Sequence, residues 1–155
     1  MSVIRALSLA IDLELKVAEA YEKLSRMAVD ETVKKDLTTL SQEERVHANL
    51  LRTGKHFASS DPLLFADEKI SEKDIEDHLG LIENFLKYVD DKTLDLEDAL
   101  RRMHDMEIWF ETVHIRTLLE VKDPSLRKLF EALSAGDHEH TRRLEKLIRA
   151  LYTPR

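Results

Sequence analysis

Apolar residues recur along most of this chain at alternating steps of three and four, the spacing that places them on one face of an α-helix. The stripes are long and carry few glycines or prolines, so the pattern predicts an all-α protein. We expect five helices, at about 2–27, 31–54, 71–89, 96–120 and 124–152. Residues 55–70, which include Ser59-Ser60-Asp61-Pro62, form the predicted connection between the second and third helices.

Residues that begin and end helices stand between the stripes. Asp30 and Asp95 precede the second and fourth helices, where an aspartate can accept hydrogen bonds from the free backbone N–H groups of the first turn. Asp123-Pro124 is a strong start signal for the last helix, because proline fits the first helical position. Gly54 predicts the end of the second helix.

Ionisable residues interrupt three of the apolar stripes. Glu14 stands in the middle of the first stripe, Glu44 and His47 occupy stripe positions in the second helix, and Asp137 and His140 do so in the last. Residues three apart on a helix are neighbours, so each acid-x-x-His pair can approach one object together. Di-metal carboxylate bundles use such a pair. The third helix has none on its stripe, and we interpret it as a crossover or packing helix.

The second half of the chain repeats the first at a separation of 93 residues, without a gap. The matched positions are Glu14 with Glu107, Asp30 with Asp123, Leu40-Ser41 with Leu133-Ser134, Glu44 with Asp137, and His47 with His140. Each half is then a helical hairpin. We predict a single domain spanning 1–155, with a hairpin at about 2–54, a connection and extra helix at about 55–94, and a hairpin at about 95–152.

Hairpin geometry places the matched acids beside the acid-x-x-His pairs. Residue 29 is the midpoint of 14 and 44, and residue 122 is the midpoint of 107 and 137. Both midpoints fall at predicted turns, and positions equidistant from a turn are adjacent in an antiparallel pair. Docking the hairpins about a pseudo-twofold axis would gather four carboxylates and two imidazoles at mid-bundle.

Such a cluster indicates a site for two metal ions. Four buried carboxylates cannot all stay ionised without cations, because each unpaired buried charge costs several kcal/mol. We predict six ligands: Glu14 and Glu107 as terminal ligands, Glu44 and Asp137 as bridges, and His47 and His140 as one nitrogen ligand for each ion. Oxygen ligands with one imidazole per ion favour iron, with Mn and Zn as alternatives. Two ferrous ions could give two electrons to O2 or peroxide.

Composition and charge narrow the partners. A net charge of −7 and the lack of a basic stripe argue against a nucleic-acid partner. The chain has no cysteine, which excludes disulfides, thiolate metal sites and Fe–S clusters. No apolar run approaches the roughly 20 residues that span a bilayer. The start, Met1-Ser2-Val3-Ile4-Arg5, does not predict a secretory signal, so we expect a cytoplasmic protein without a membrane partner.

The whole arrangement resembles the ferritin-like superfamily of di-iron carboxylate proteins. It is most similar to the rubrerythrin type, through Ala10-Ile11-Asp12-Leu13-Glu14 with Tyr21 seven residues on, Leu40-Ser41-Gln42-Glu43-Glu44-Arg45-Val46-His47, and Leu94-Asp95-Leu96-Glu97-Asp98-Ala99-Leu100 leading to Glu107. The resemblance covers nearly the whole chain. It implies a ferritin-like four-helix bundle made of the two hairpins, a di-iron centre, peroxidase or ferroxidase activity, and homodimers or larger assemblies.

Several positions depart from the family. Asp137 stands where the family has glutamate and is one methylene shorter. Phe110 occupies the position of a further glutamate that rubrerythrins use in a redox-linked ligand change, with Glu111 one residue on. His114 stands at the equivalent of Tyr21 in the second half. Without cysteine there is no rubredoxin module, so electrons must come from a separate donor protein or from ferrous iron.

Four residues near the predicted site are candidates for contact with its ligands: Tyr21, His104, Glu111 and His114. For Glu111 and His114, direct binding to metal is the alternative. Glu111 and His114 also form a Glu-x-x-His motif, but it falls outside the duplicated register, and a single such motif in a charged helix is more often solvated. By the same periodicity, Glu43 and Arg45 are expected to be solvated.

Three functional hypotheses follow from the sequence. In the first, the protein is an oxidoreductase that reduces peroxide or O2 with an external electron donor. In the second, the same site oxidises Fe(II) and the protein handles iron. In the third, it is a non-catalytic helical protein with a degenerate site. The shortened Asp137 and the interior Gly136 favour the third, because glycine weakens a helix by about 1 kcal/mol.

Overall fold

The part of the chain that the structure describes contains five α-helices, in chain order α1 (Val3–Met27), α2 (Glu31–Ser60), α3 (Glu72–Asp90), α4 (Leu96–Glu120) and α5 (Pro124–Tyr152). The structure is a computed structural model. It describes residues 3–61, 63, 72–120 and 123–152, without the side chains of residues 72 and 113–120. These residues contain no β-strand, which confirms the all-α prediction. Within the same ranges, no helix is long and apolar enough to cross a lipid bilayer.

The predicted helix starts are confirmed by side-chain caps. Oδ1 of Asp30 accepts hydrogen bonds from the backbone N–H groups of Thr32 and Val33, at 2.8 and 3.0 Å. Oδ1 of Asp123 accepts two equivalent bonds at 2.9 Å from the second and third residues after it. Asp95 accepts one at 2.9 Å from the third residue after it. These caps fix where α2, α4 and α5 begin, and hence the register of the hairpins.

The predicted end of the second helix near Gly54 is wrong. α2 continues to Ser60, and the N–H of Asp61 donates to the carbonyl oxygen of Phe57 at 2.9 Å. Gly54 lacks the positive φ of a glycine that terminates a helix. It lies buried inside α2, where a Cβ would stand 3.7 Å from Leu129 of α5. Most of the remaining connection, and the predicted start of α3 at Ser71, lie outside the described residues.

The helices pair as two hairpins. α1 packs along α2 and α4 packs along α5, while contacts of α2 with α5 and of α1 with α4 join the pairs. α2 and α5 run antiparallel, because His47 lies beside Asp137 whereas Glu43, earlier in α2, lies beside Arg143, later in α5. The arrangement brings the middle of each of the four helices to the same level.

α3 packs on α1, outside the two hairpins. The buried residues of α3, among those whose side chains the structure describes, are all apolar: Ile75, Ile82, Phe85, Leu86 and Val89. These residues include most of the predicted stripe, and they account for the packing of α3 on α1.

A layer of ionisable residues separates two apolar clusters in the interior. One cluster includes Leu7 and Ile11 of α1, and the other includes Val17 and Leu24 of the same helix, with Glu14 between them. The same order recurs in α2 and α5, where the acid-x-x-His pairs stand between residues of the two clusters. Apolar packing on both sides therefore screens the ionisable layer from water.

Candidate metal centre

The six predicted ligands lie together in this layer. They come from four helices, and none is more than 6% exposed: Glu14, Glu44, His47, Glu107, Asp137 and His140. Charged residues are almost never buried to this extent unless they are paired or bind metal. Helical periodicity and the internal repeat, which supplied Glu107, therefore predicted the location of all six, while their role as ligands stays a prediction.

His47 stands among three carboxylates. Its Nδ1 lies 3.2 Å from Oε2 of Glu44, 3.6 Å from Oδ1 of Asp137 and 3.7 Å from Oε2 of Glu14. The three acids belong to three different helices, α2, α5 and α1. One nitrogen and three carboxylates at these separations can surround a single cation placed between them.

His140 has an equivalent environment in the other half. Its Nδ1 lies 2.7 Å from Oε1 of Glu44 and 3.8 Å from Oε1 of Glu107. One ligand atom from each of Glu107, Asp137 and His140 falls within 4.8 Å of the other two. Glu44 thus presents one oxygen to each histidine, which is the geometry expected of a bridging carboxylate. The two imidazole rings stack with centroids 5.1 Å apart.

Four buried atoms of the cluster have no hydrogen-bond partner: Glu44 Oε1, His47 Nδ1, Glu107 Oε2 and His140 Nδ1. Some of these atoms are close to one another, yet their directions do not allow an N–H···O bond. Unpaired buried polar atoms are uncommon and call for a physical cause. Ligand atoms that converge on a shared space without hydrogen-bonding to one another fit a site that holds cations. The donor set of carboxylate oxygens and imidazole nitrogens could hold a metal ion.

Tyr21 of α1 contacts the cluster, as the sequence analysis predicted. It is fully buried, and its hydroxyl donates a hydrogen bond to Oε1 of Glu107. Burial, followed by the charges of Glu107 and Glu44, raises the pKa of Tyr21 well above its ordinary value. The hydroxyl therefore keeps its proton and holds one oxygen of Glu107.

Glu43 also contacts the cluster, contrary to the expectation that it is solvated. Its Oε2 lies 3.0 Å from Nε2 of His140 and 2.6 Å from Nη1 of Arg143. The side chain is 39% exposed, so it bridges the buried imidazole and the surface. The periodicity of α2 places Glu43 off the apolar stripe that packs within its own hairpin. It carries no information on the position of α5, which packs against the side of α2 that carries Glu43. The docking of the two hairpins creates this contact.

The other three candidates for indirect contact are placed differently. Nε2 of His104 lies 3.4 Å from Oε1 of Glu145, in a surface groove between α4 and α5. Glu111 pairs with Nδ1 of His138 at 3.0 Å. The side chain of His114 lies outside the described residues. Of the four candidates, Tyr21 is thus the one for which the structure gives a contact with a predicted ligand.

Gly136 has a structural reason inside α5. A Cβ at this position would lie 2.2 Å from Nε2 of His47, closer than packed atoms approach. Only glycine leaves room for the imidazole ring where it now stands. The glycine therefore accommodates the site, and it no longer supports the hypothesis of a degenerate centre.

The metal-free cluster holds more protons than separate side chains would. Burial alone would lower the pKa of His47, but its contacts with Glu14 and Glu44 outweigh burial and raise that pKa to about 11. The pKa of His140 is also raised, because its contact with Glu44 outweighs burial. Burial and the charges of Glu44 and Asp137 raise the pKa of Glu107 well above its usual range. Burial opposes ionisation of Glu44 too, but its contacts with His140 and His47 hold its pKa low.

Metal binding should therefore release protons. A ligand must lose its proton to bind, and the raised pKa values of His47, His140 and Glu107 favour their protonated forms in the metal-free protein, so we expect protons to be released as metal binds. Because these pKa values are raised, metal affinity should fall as the pH falls. Calorimetric titration with Mn²⁺ in buffers of different ionisation enthalpy measures the release. An affinity equal at about pH 6 and about pH 8 would contradict the expectation.

Comparisons with known proteins do not identify the chain. No family model matches it, and neither the curated proteins nor the solved structures include a match. The functional argument therefore depends on the site itself.

Proposed function

We propose that this chain is a ferritin-like di-iron carboxylate protein, of the rubrerythrin type but without a rubredoxin module, that reduces peroxide or O2 with electrons from an external donor. One observation carries the proposal. The Nδ1 atoms of His47 and His140 are buried without a hydrogen-bond partner, and they face carboxylates that four different helices bring to the middle of the bundle. Resemblance of the two hairpins to the ferritin-like pattern supports the same assignment.

The separations support one ion beside each histidine. Glu14 and His47 would hold the first ion, and Glu107 and His140 the second. Glu44 would bridge them, since its two oxygens lie 3.2 and 2.7 Å from the two Nδ1 atoms. Asp137 lies close to both histidines despite its shorter side chain. Its Oδ1 is 3.6 Å from Nδ1 of His47, and one of its oxygens lies within 4.8 Å of a ring nitrogen of His140.

Iron is the metal that the proposed reaction needs. Two bound ferrous ions would supply the two electrons that, with two protons, reduce H2O2 to two molecules of water, a change that no side chain of this chain can perform alone. The protein side chains would bind and orient the ions and exclude water. The carboxylates balance the charge of the ions, Tyr21 orients Glu107 through its hydroxyl, and the apolar clusters on both sides exclude bulk water.

Oxidation of Fe(II) for iron handling is a second candidate, and the environment of Phe110 favours it. This residue is 5% exposed and packs in the larger apolar cluster, at the position where rubrerythrins carry a further glutamate. Phe110 offers no carboxylate for the ligand change that the resemblance associates with repeated peroxide turnover.

Turnover with peroxide tests the proposal. We expect the protein loaded anaerobically with two Fe(II) to reduce many equivalents of H2O2 when a one-electron donor is present. A His140→Ala variant should reduce it at least about tenfold more slowly, as for the loss of a positioned metal ligand. Oxidation of only the bound iron, followed by deposition of ferric product when Fe(II) and O2 are in excess, would instead support iron handling. Peroxide loss and Fe(II) oxidation that are both no faster than with free iron would contradict both candidate functions.

A further inference from the structure

The two histidines of the duplicated cluster have different partners on their outer nitrogens. Nε2 of His140 contacts Glu43, which also pairs with Arg143. The position that matches Glu43 in the other half is Gly136, and the position that matches Arg143 is Leu50. Neither of these can supply a carboxylate or a cation to His47. The two halves therefore share an acid or a histidine at each of the six predicted ligand positions. They differ in the residues that lie next to the Nε2 atoms of the two histidines.

A carboxylate behind an imidazole determines which nitrogen can bind metal. A carboxylate accepts hydrogen bonds, so its contact at 3.0 Å requires the proton of the neutral ring to be on Nε2. Nδ1 of His140 then presents its lone pair to Glu44 and Glu107. Partners of this kind fix the tautomer and the ring orientation and increase ligand basicity, and their removal weakens metal binding by about 10–100-fold.

Arg143 makes this support more rigid. Its Nη1 lies 2.6 Å from the same Oε2 that contacts the imidazole, and its side chain is only 21% exposed. A charge-assisted bond of this length restricts the carboxylate to one position. On the other side, Gly136 places no side chain against Nε2 of His47, and any Cβ there would collide with the ring.

We propose that the two metal positions are unequal, and that the ion beside His140 binds first and more tightly because Glu43 and Arg143 position that imidazole. This inference rests on the proposed di-metal site and adds an order of loading to it. Glu43 is a positioning residue, since it contacts the imidazole and not the metal. The ion beside His47 is the weaker one, held by a ring whose outer nitrogen lacks this support.

Single-histidine variants test the proposal with Mn²⁺ alone, which binds such ligands without oxygen chemistry. His47→Ala retains the supported position, and His140→Ala retains the other. We expect the His47→Ala protein to bind one Mn²⁺ about 10–100-fold more tightly than the His140→Ala protein. Adding Glu43→Ala should abolish this difference, and Glu43→Asp should restore part of it. The matched control adds Glu43→Ala to the His140→Ala protein. Its Mn²⁺ affinity should differ from that of His140→Ala alone by less than about twofold.

Equal affinities in the two single-histidine proteins, or equal weakening of both by Glu43→Ala, would overturn the proposal. If either variant fails to fold, partial loading of the wild type gives the same answer. With one equivalent of Mn²⁺, anomalous diffraction should place most of the metal beside His140, and equal occupancies would overturn the inference. Two bound ions of equal occupancy would still support the di-metal site, whereas a wild type that binds no Mn²⁺ would overturn the di-metal site itself.

Discussion

Glu44→Gln should remove both metal ions from the purified protein. Its two oxygens lie 2.7 and 3.2 Å from the two imidazole Nδ1 atoms, so one substitution affects both positions. Glutamine has nearly the same shape, but it carries no charge and offers one oxygen in place of two. We expect elemental analysis to fall from two ions per chain to fewer than one. Loss of a metal ligand commonly weakens binding by more than the roughly 10–100-fold seen for its hydrogen-bond partners.

Glu31→Gln provides the matched control for this result. Glu31 lies on the same helix, but its side chain is 83% exposed and pairs only with a neighbouring lysine in the described contacts. This variant should keep two ions. A Glu44→Gln protein that also keeps two ions would show that Glu44 does not bridge them.

Metal loading should raise the melting temperature by about 10 °C. The metal-free interior holds four acids and two histidines with several unpaired atoms, and bound cations would satisfy them. A ligand present at about a thousandfold excess over its Kd adds about 4 kcal/mol to the free energy of unfolding. For a chain of this length, each kcal/mol raises Tm by about 2–4 °C.

The melting experiment compares metal-free protein with protein in excess Mn²⁺, by calorimetry. A chelator should reverse the shift, and the Glu44→Gln protein should show little of it. If the wild type melts at the same temperature with and without Mn²⁺, the cluster does not hold metal in the folded state.

Periodicity and duplication located the candidate site from the sequence because both follow local rules. A helix repeats every 3.6 residues, so an acid or histidine on an apolar stripe must face the interior. Glu14 and Glu107 lie on different hairpins, and the 93-residue repeat alone identified them as equivalent positions. The caps at Asp30 and Asp123 then fixed the turns, and the turns fixed which residues stand side by side.

Contacts between hairpins were beyond the reach of the same rules. Glu43 lies off the stripe of its own hairpin, and its partners His140 and Arg143 are supplied by α5. Gly136 was interpreted as a weakness of the helix, although it makes room for an imidazole from the opposite hairpin. Gly54 was interpreted as a helix end, although a glycine ends a helix only where the backbone turns to positive φ. The roles of all three residues depend on contacts between helices, which the periodicity of a single helix does not predict.

Anomalous diffraction from crystals of the Mn²⁺-loaded protein tests the central claim most directly, because it locates metal without any assumption about activity. Our account predicts two peaks in the bundle interior, one beside Nδ1 of His47 and the other beside Nδ1 of His140, with Glu44 in contact with both. An interior without peaks, in which the four acids and two histidines hydrogen-bond only to one another while Mn²⁺ is in excess, would contradict it.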